Sequence, residues 1–200
     1  MSIDTRTVSF TAMKDGTAED YQLLDEIEAQ QTTDFASRVL GWLQTMDDSA
    51  GYQISRLEHS LQAATRAHRA GEDEETVVCA LLHDIGDYLA PANHSEVAAA
   101  VLRPYVSKKN YWIVKHHGLF QGFYYFHFSG ADPNARDRHK DHPYYQATVD
   151  FCELYDQNSF DPEYEWESLD FFEPMVRRVL AQPRAFASAL TTSTGSPETV

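Results

Sequence analysis

Cysteine is nearly absent from this chain. There are two in 200 residues, Cys79 and Cys152, both inside apolar helical patterns. They read as buried reduced thiols of a cytoplasmic protein rather than a disulfide framework. Cationic side chains are also scarce, 16 against 31 acidic ones, which leaves a net charge of −15. That balance speaks against nucleic acid as a partner, because phosphate backbones need clustered Lys and Arg. It leaves room for a small anionic substrate, which needs only local positive charge or a metal. No apolar run approaches the roughly 18 residues of a membrane span, so no membrane partner is expected. Met1 to Arg6 lacks a basic start followed by an apolar stretch, so no signal peptide is read there. Internal repeats and alternating β patterns are missing too. What is present is 42% hydrophobic sequence, enough for one sizeable core, arranged with helical periodicity.

The spacing predicts an all-α bundle. Ala18 to Ala29 reads as a peripheral helix. A helix capped by Thr33-Asp34 carries Phe35, Val39, Leu40 and Leu43, and another starts near Gln53 and stops at Gly71. Asp73-Glu74-Glu75 opens a third, with acidic residues where the helix dipole favours them. Further helices are expected from His94 to Leu102, from Ser107 to His116-His117-Gly118, from Asp141-His142-Pro143 through Asp156, and from Phe171 to Leu180. As domains, residues 1–30 read as a peripheral extension, 31–185 as the helical domain and 186–200 as a flexible tail.

The organising stretch is Ala80 to Asp87, where an apolar helix built on Val77, Val78, Leu81, Leu82 and Ile85 carries a His-Asp doublet and ends at a glycine. A buried imidazole and carboxylate side by side are costly unless they share something positive. A divalent metal is the simplest answer. Adjacent helical residues point about 100° apart, so two metals with the carboxylate between them fit better than one. The candidate ligands are His59, His83, Asp84, His94, His117 and Asp156.

Leu57-Glu58-His59, then Leu82-His83-Asp84-Ile85-Gly86, then a distant Asp156 resemble the HD-domain superfamily. The resemblance implies an all-helical bundle with the metal site in a central cleft. Members with the four motif residues alone usually hold one metal, and dinuclear members add two histidines, here matched by His94 and His117. Ile113-Val114-Lys115-His116-His117 resembles the dinuclear pattern of an apolar residue three positions before the ligand, which selects His117; His116 reads as a neighbour or a further ligand. Arg56 to Gln62, Lys115 to Phe120 and Leu154-Tyr155-Asp156 are similar to segments of the HD-domain mixed-valent diiron oxygenases that act on a hydroxy-aminoethylphosphonate and on myo-inositol. The resemblance implies two iron ions: one on His59, His83, Asp84 and Asp156, the other on Asp84, His94 and His117. Its anion-binding positions are not matched, since Ser49, Tyr52, Asp87, Gln121 and Glu153 stand where those enzymes have other side chains.

Asp84 and Lys115 are the catalytic candidates. Tyr52, Asp87, His116, Gln121 and Tyr124 are the substrate-facing candidates. The aromatic run Phe120 to Phe128 is either core or a lid over the metals, whose rings with Asp87 would suit an ammonium group. Arg136, Arg138, His139 and Lys140 form the one basic cluster, either solvated or folded over an anion. The favoured function is a diiron oxygenase that takes O2 and cleaves a C–C or C–P bond next to a hydroxyl-bearing carbon of a small polar substrate. The alternative is a phosphohydrolase using Mn, Mg or Zn, and a third reading is a non-catalytic metal-binding protein. Nothing in the sequence fixes an oligomeric state.

Overall fold

The computed structural model describes residues 5–33, 35–49 and 51–184. The expected tail 186–200, the start Met1 to Asp4 and the Asp34 half of the expected cap lie outside the described residues. Among those residues there are eight α-helices and no strand. They are α1 (Ala18–Thr33), α2 (Phe35–Gln44), α3 (Arg56–Arg69), α4 (Glu74–Leu82), α5 (His94–Leu102), α6 (Lys108–Tyr125), α7 (Tyr145–Phe151) and α8 (Leu169–Val179).

Local chemistry sets several of these boundaries. α3 begins at Arg56, not near Gln53, because Ser55 and Glu58 form a reciprocal capping box. Asp73 caps α4 through the Thr76 amide, 2.8 Å away, and Ser107 caps α6 through the Asn110 amide. Gly71, at φ +82, supplies the left-handed turn after α3.

The core is the seam where α3 lies on α4, α5 on α6, and α8 on the outside of α4. Leu43, Leu81, Leu82, Ile85, Leu102, Phe120 and Phe172 are fully buried in it. Every residue of α4 from Thr76 to Leu82 is buried, so this helix is the axis of the bundle.

Three expectations are corrected. α4 ends at Leu82, so His83 and Asp84 lie just past the helix in a run of turns, where their side chains are freed from the helical spacing. α6 does not stop at Gly118 but runs on to Tyr125, which makes most of the aromatic run helix rather than lid. Gly118 is there for space: a Cβ would stand 2.8 Å from Ser95 Oγ and 3.4 Å from His94 Nε2. The helix expected to reach Asp156 narrows to α7 and then widens into a π-helical turn, Cys152–Asp156. Such widened turns recur at functional sites, because they rotate the following side chain out of the regular register.

Candidate metal centre

Five separate segments deliver the six candidate ligands to one place. His59 comes from the first turn of α3, His83 and Asp84 from the turns after α4, His94 from the start of α5, His117 from the middle of α6, and Asp156 from the end of the π-helical turn. His59, His83, His117 and Asp156 are buried, while Asp84 and His94 are about one quarter exposed.

The six side chains form two groups that share Asp84. In the first, His59 Nε2 and His83 Nε2 are 3.2 Å apart. Asp156 Oδ1 lies 3.5 and 3.6 Å from them, and Asp84 Oδ2 lies 3.5 Å from each. In the second, His94 Nε2 and His117 Nε2 are 3.2 Å apart, and Asp84 Oδ1 lies 3.4 and 3.0 Å from them. The two oxygens of Asp84 thus face different groups.

The hydrogen bonding of the imidazoles decides what belongs between them. Each Nδ1–H donates to a backbone carbonyl: His59 to Ser159, His83 to Ala80, His94 to Pro91 and His117 to Val114, at 2.9, 2.8, 3.3 and 2.7 Å. A carbonyl only accepts, so the proton of each neutral ring sits on Nδ1 and the Nε2 lone pair is bare. Four bare nitrogens then point at one another and at two carboxylates. Asp156 Oδ2 is also buried without a hydrogen-bond partner among the described residues. Acceptors packed 3.0–3.6 Å apart with no donor between them repel, unless cations lie among them. The donor set fits a pair of metal ions, and nitrogen with carboxylate suits iron, manganese or zinc. The carbonyl bond on the far nitrogen of each ring is the usual way such histidines are oriented.

Charges in the cluster respond accordingly. Burial acts to lower the pKa of His83, but the Asp84 and Asp156 carboxylates overcome it and raise it to about 9. Without a metal, a proton takes the cation's place. Burial, and then the neighbouring His83, hold His59 below its ordinary value. Burial works to raise Asp84, yet His83 and His117 hold it well below the usual carboxylate range.

The centre opens into a cavity of about 340 Å³. Tyr52, Asp87, Gln121 and Tyr124, all expected to face substrate, line it. Lys115 and His116 do not. Lys115 pairs with Glu96 at 3.6 Å, and His116 stacks on Trp112 and donates from Nδ1 to its carbonyl, on another side of α6. The expected catalytic role of Lys115 and the expected substrate contact or further ligation by His116 are therefore not carried by their positions. Asp87 lines the cavity with its carboxylate already held by Arg56 Nε at 2.5 Å. Of the aromatic run, Phe120 is core, Tyr124 and Tyr125 line the cavity, and Phe123, Phe126 and Phe128 do not. The basic cluster stays outside as well, and Arg136 lies over the Phe123 ring.

Reading the sequence did not place Arg56 or Phe160 at the cavity they line, and reached Tyr125 only as part of the aromatic run. Arg56 was within reach of it: it stands three residues before His59, hence on the same face of α3. Phe160 lies in an acidic loop without periodicity and left no such signal.

An all-helical domain with a histidine–aspartate cluster at its centre is the class that fold and site define together. The HD domain family model matches residues 56–147, and over that stretch the chain is similar to this family of metal-dependent enzymes. The matched span holds every candidate ligand except Asp156. No curated protein matches the chain. Among the described residues, no helix is long and apolar enough to cross a membrane.

Proposed function

We propose that this protein is a dinuclear iron oxygenase acting on a small hydroxylated substrate. His59, His83, Asp156 and one oxygen of Asp84 would hold one ion, and His94, His117 and the other oxygen of Asp84 would hold the second. The observation that carries the reading is the composition of the second group. Two histidines and one carboxylate beside an open cavity is a ligand set that non-haem iron oxygenases use. Bound iron supplies the activation of O2 and the oxidation of the substrate carbon that bears the hydroxyl.

The chain's own residues bind, orient and exclude water. Asp84 ties the two positions together through a single carboxylate. Gln121 donates from Nε2 to Asp156 Oδ1 at 2.9 Å and so fixes that carboxylate's orientation. Tyr52, Tyr124, Tyr125 and Phe160 close the cavity walls with rings, and its volume is at the low end for ligand sites, which limits the substrate to a small molecule.

Charge argues against a phosphate ester. Arg56 is the one cationic side chain among the lining residues, and Asp87 and Asp48 hold it at 2.5 and 2.8 Å. A hydrolase binding phosphate would be served by an uncommitted Arg or Lys there. A neutral or ammonium-bearing polar substrate suits this wall better.

The test is to reconstitute the protein with iron without oxygen, oxidise it partially and record a low-temperature EPR spectrum. A coupled mixed-valent diiron signal that changes on adding O2 supports the oxygenase. A protein that takes up only Mn, Mg or Zn and hydrolyses a generic phosphate ester overturns it in favour of the phosphohydrolase.

A further inference from the structure

The ring of His59 is the first of three in a row. Phe160, from the segment after the π-helical turn, stacks on it with ring centroids 4.4 Å apart and planes 24° from parallel. Tyr52, from the turn before α3, stacks in turn on Phe160 at 4.9 Å and 30°. His59 is buried, Phe160 is half-buried, and Tyr52 is 58% exposed. Contacting rings thus lead from a buried candidate ligand to water.

We infer that Tyr52 is a redox-active residue, a one-electron relay between the metal pair and the surface. The inference rests on the iron reading above. Electron transfer through protein falls exponentially with distance, and stacked rings in contact leave no gap to cross. Phenylalanine is too hard to oxidise to hold the charge, so Phe160 and His59 are the bridge and the Tyr52 phenol is the donor. When hydrogen peroxide is reduced to water at the iron-loaded site in the absence of substrate, one of the two electrons it needs would come from Tyr52 and the other from the bound iron. The phenol loses one proton to water at the same time and becomes a neutral tyrosyl radical. A small thiol then returns one hydrogen atom to the exposed ring and is left as a thiyl radical. The relay would thereby drain an unused oxidising equivalent away from the ligands.

Two other tyrosines fit less well. Tyr125 lines the cavity, but its ring meets Phe126 edge-on, at 86°, and among the described residues no ring contact joins it to a candidate ligand. Tyr155 reaches His83 through Phe151, but edge-on and at the longer separations of 5.9 and 5.7 Å. It is also buried, with its hydroxyl donated to Glu72 at 2.7 Å, so neither water nor a thiol has access to it.

The experiment uses the full chain loaded with iron and checked for the coupled EPR signal, then mixed with hydrogen peroxide without substrate and frozen. The expected result is a tyrosyl radical signal that disappears in Tyr52→Phe and persists in Tyr125→Phe and Tyr155→Phe. A signal of equal size in Tyr52→Phe, or its loss in Tyr155→Phe alone, overturns the inference. So does a wild-type protein that holds the coupled iron pair and yields no radical, which leaves the oxygenase reading standing. A protein that binds no redox-active metal overturns both.

Discussion

Removing the metal is the perturbation that this site makes most informative. Its donors come from five segments between residues 59 and 156, so bound cations would cross-link most of the bundle. Without them, four imidazoles and two carboxylates face one another at 3.0–3.6 Å with only a proton in place of the cations. An ion that binds only the folded chain stabilises it by about 2.7 kcal/mol per position at 100 times its Kd, or roughly 5 kcal/mol for two positions. For a domain of this size each kcal/mol moves Tm by about 2–4 °C. Chelation and dialysis should therefore lower Tm by about 10–20 °C, and returning metal should restore it. Scanning calorimetry on matched samples, with metal content measured on each, reads the effect. If the dialysed chain holds no metal yet melts at the same temperature as the loaded one, the proposed donors do not hold ions and the reasoning fails.

Other consequences concern pH and packing. In the metal-free chain the raised pKa of His83, about 9 against 6.5 unfolded, gives stability that is complete below pH 6.5 and lost as pH rises through about 9. Tm of the chelated protein should fall across that window, while the loaded protein, whose His83 is neutral and metal-held, should not follow it. Gly118→Ala pushes a methyl group to 2.8 Å from Ser95 Oγ and should cost about 1–3 kcal/mol, while weakening the position served by His94 more than the one served by His59. Metal titration of the variant separates the two positions. Ser55→Ala removes half of the capping box on α3 and should cost about 1 kcal/mol in denaturant unfolding, while leaving metal stoichiometry unchanged.

Much of the site was legible because its residue types are rare in apolar surroundings. A His-Asp doublet after Leu81-Leu82 demands an explanation wherever it occurs, and the histidines near other helix ends supplied it. The helical class followed from the periodicity of segments such as Leu57 to Ala67. What escaped was decided by tertiary space. Gly118 reads as a helix stop until Ser95 and His94 are seen against it. Lys115 and His116 sit beside a candidate ligand in sequence, but on a helix that neighbour points away from the cavity. Asp87 reads as a free carboxylate until α3 brings Arg56 to it from 31 residues earlier. Phe160 gained its place only through the π-helical turn, which no local pattern announces.

The central claim is that Asp84 joins two cation positions. Metal content per chain measures it most directly, in the wild type and in His94→Ala, which removes a donor from the second group alone. The account expects two ions per wild-type chain and one in the variant, with the remaining ion still held by His59, His83, Asp84 and Asp156. A wild-type chain that saturates at one ion, or a variant that still holds two, would contradict it.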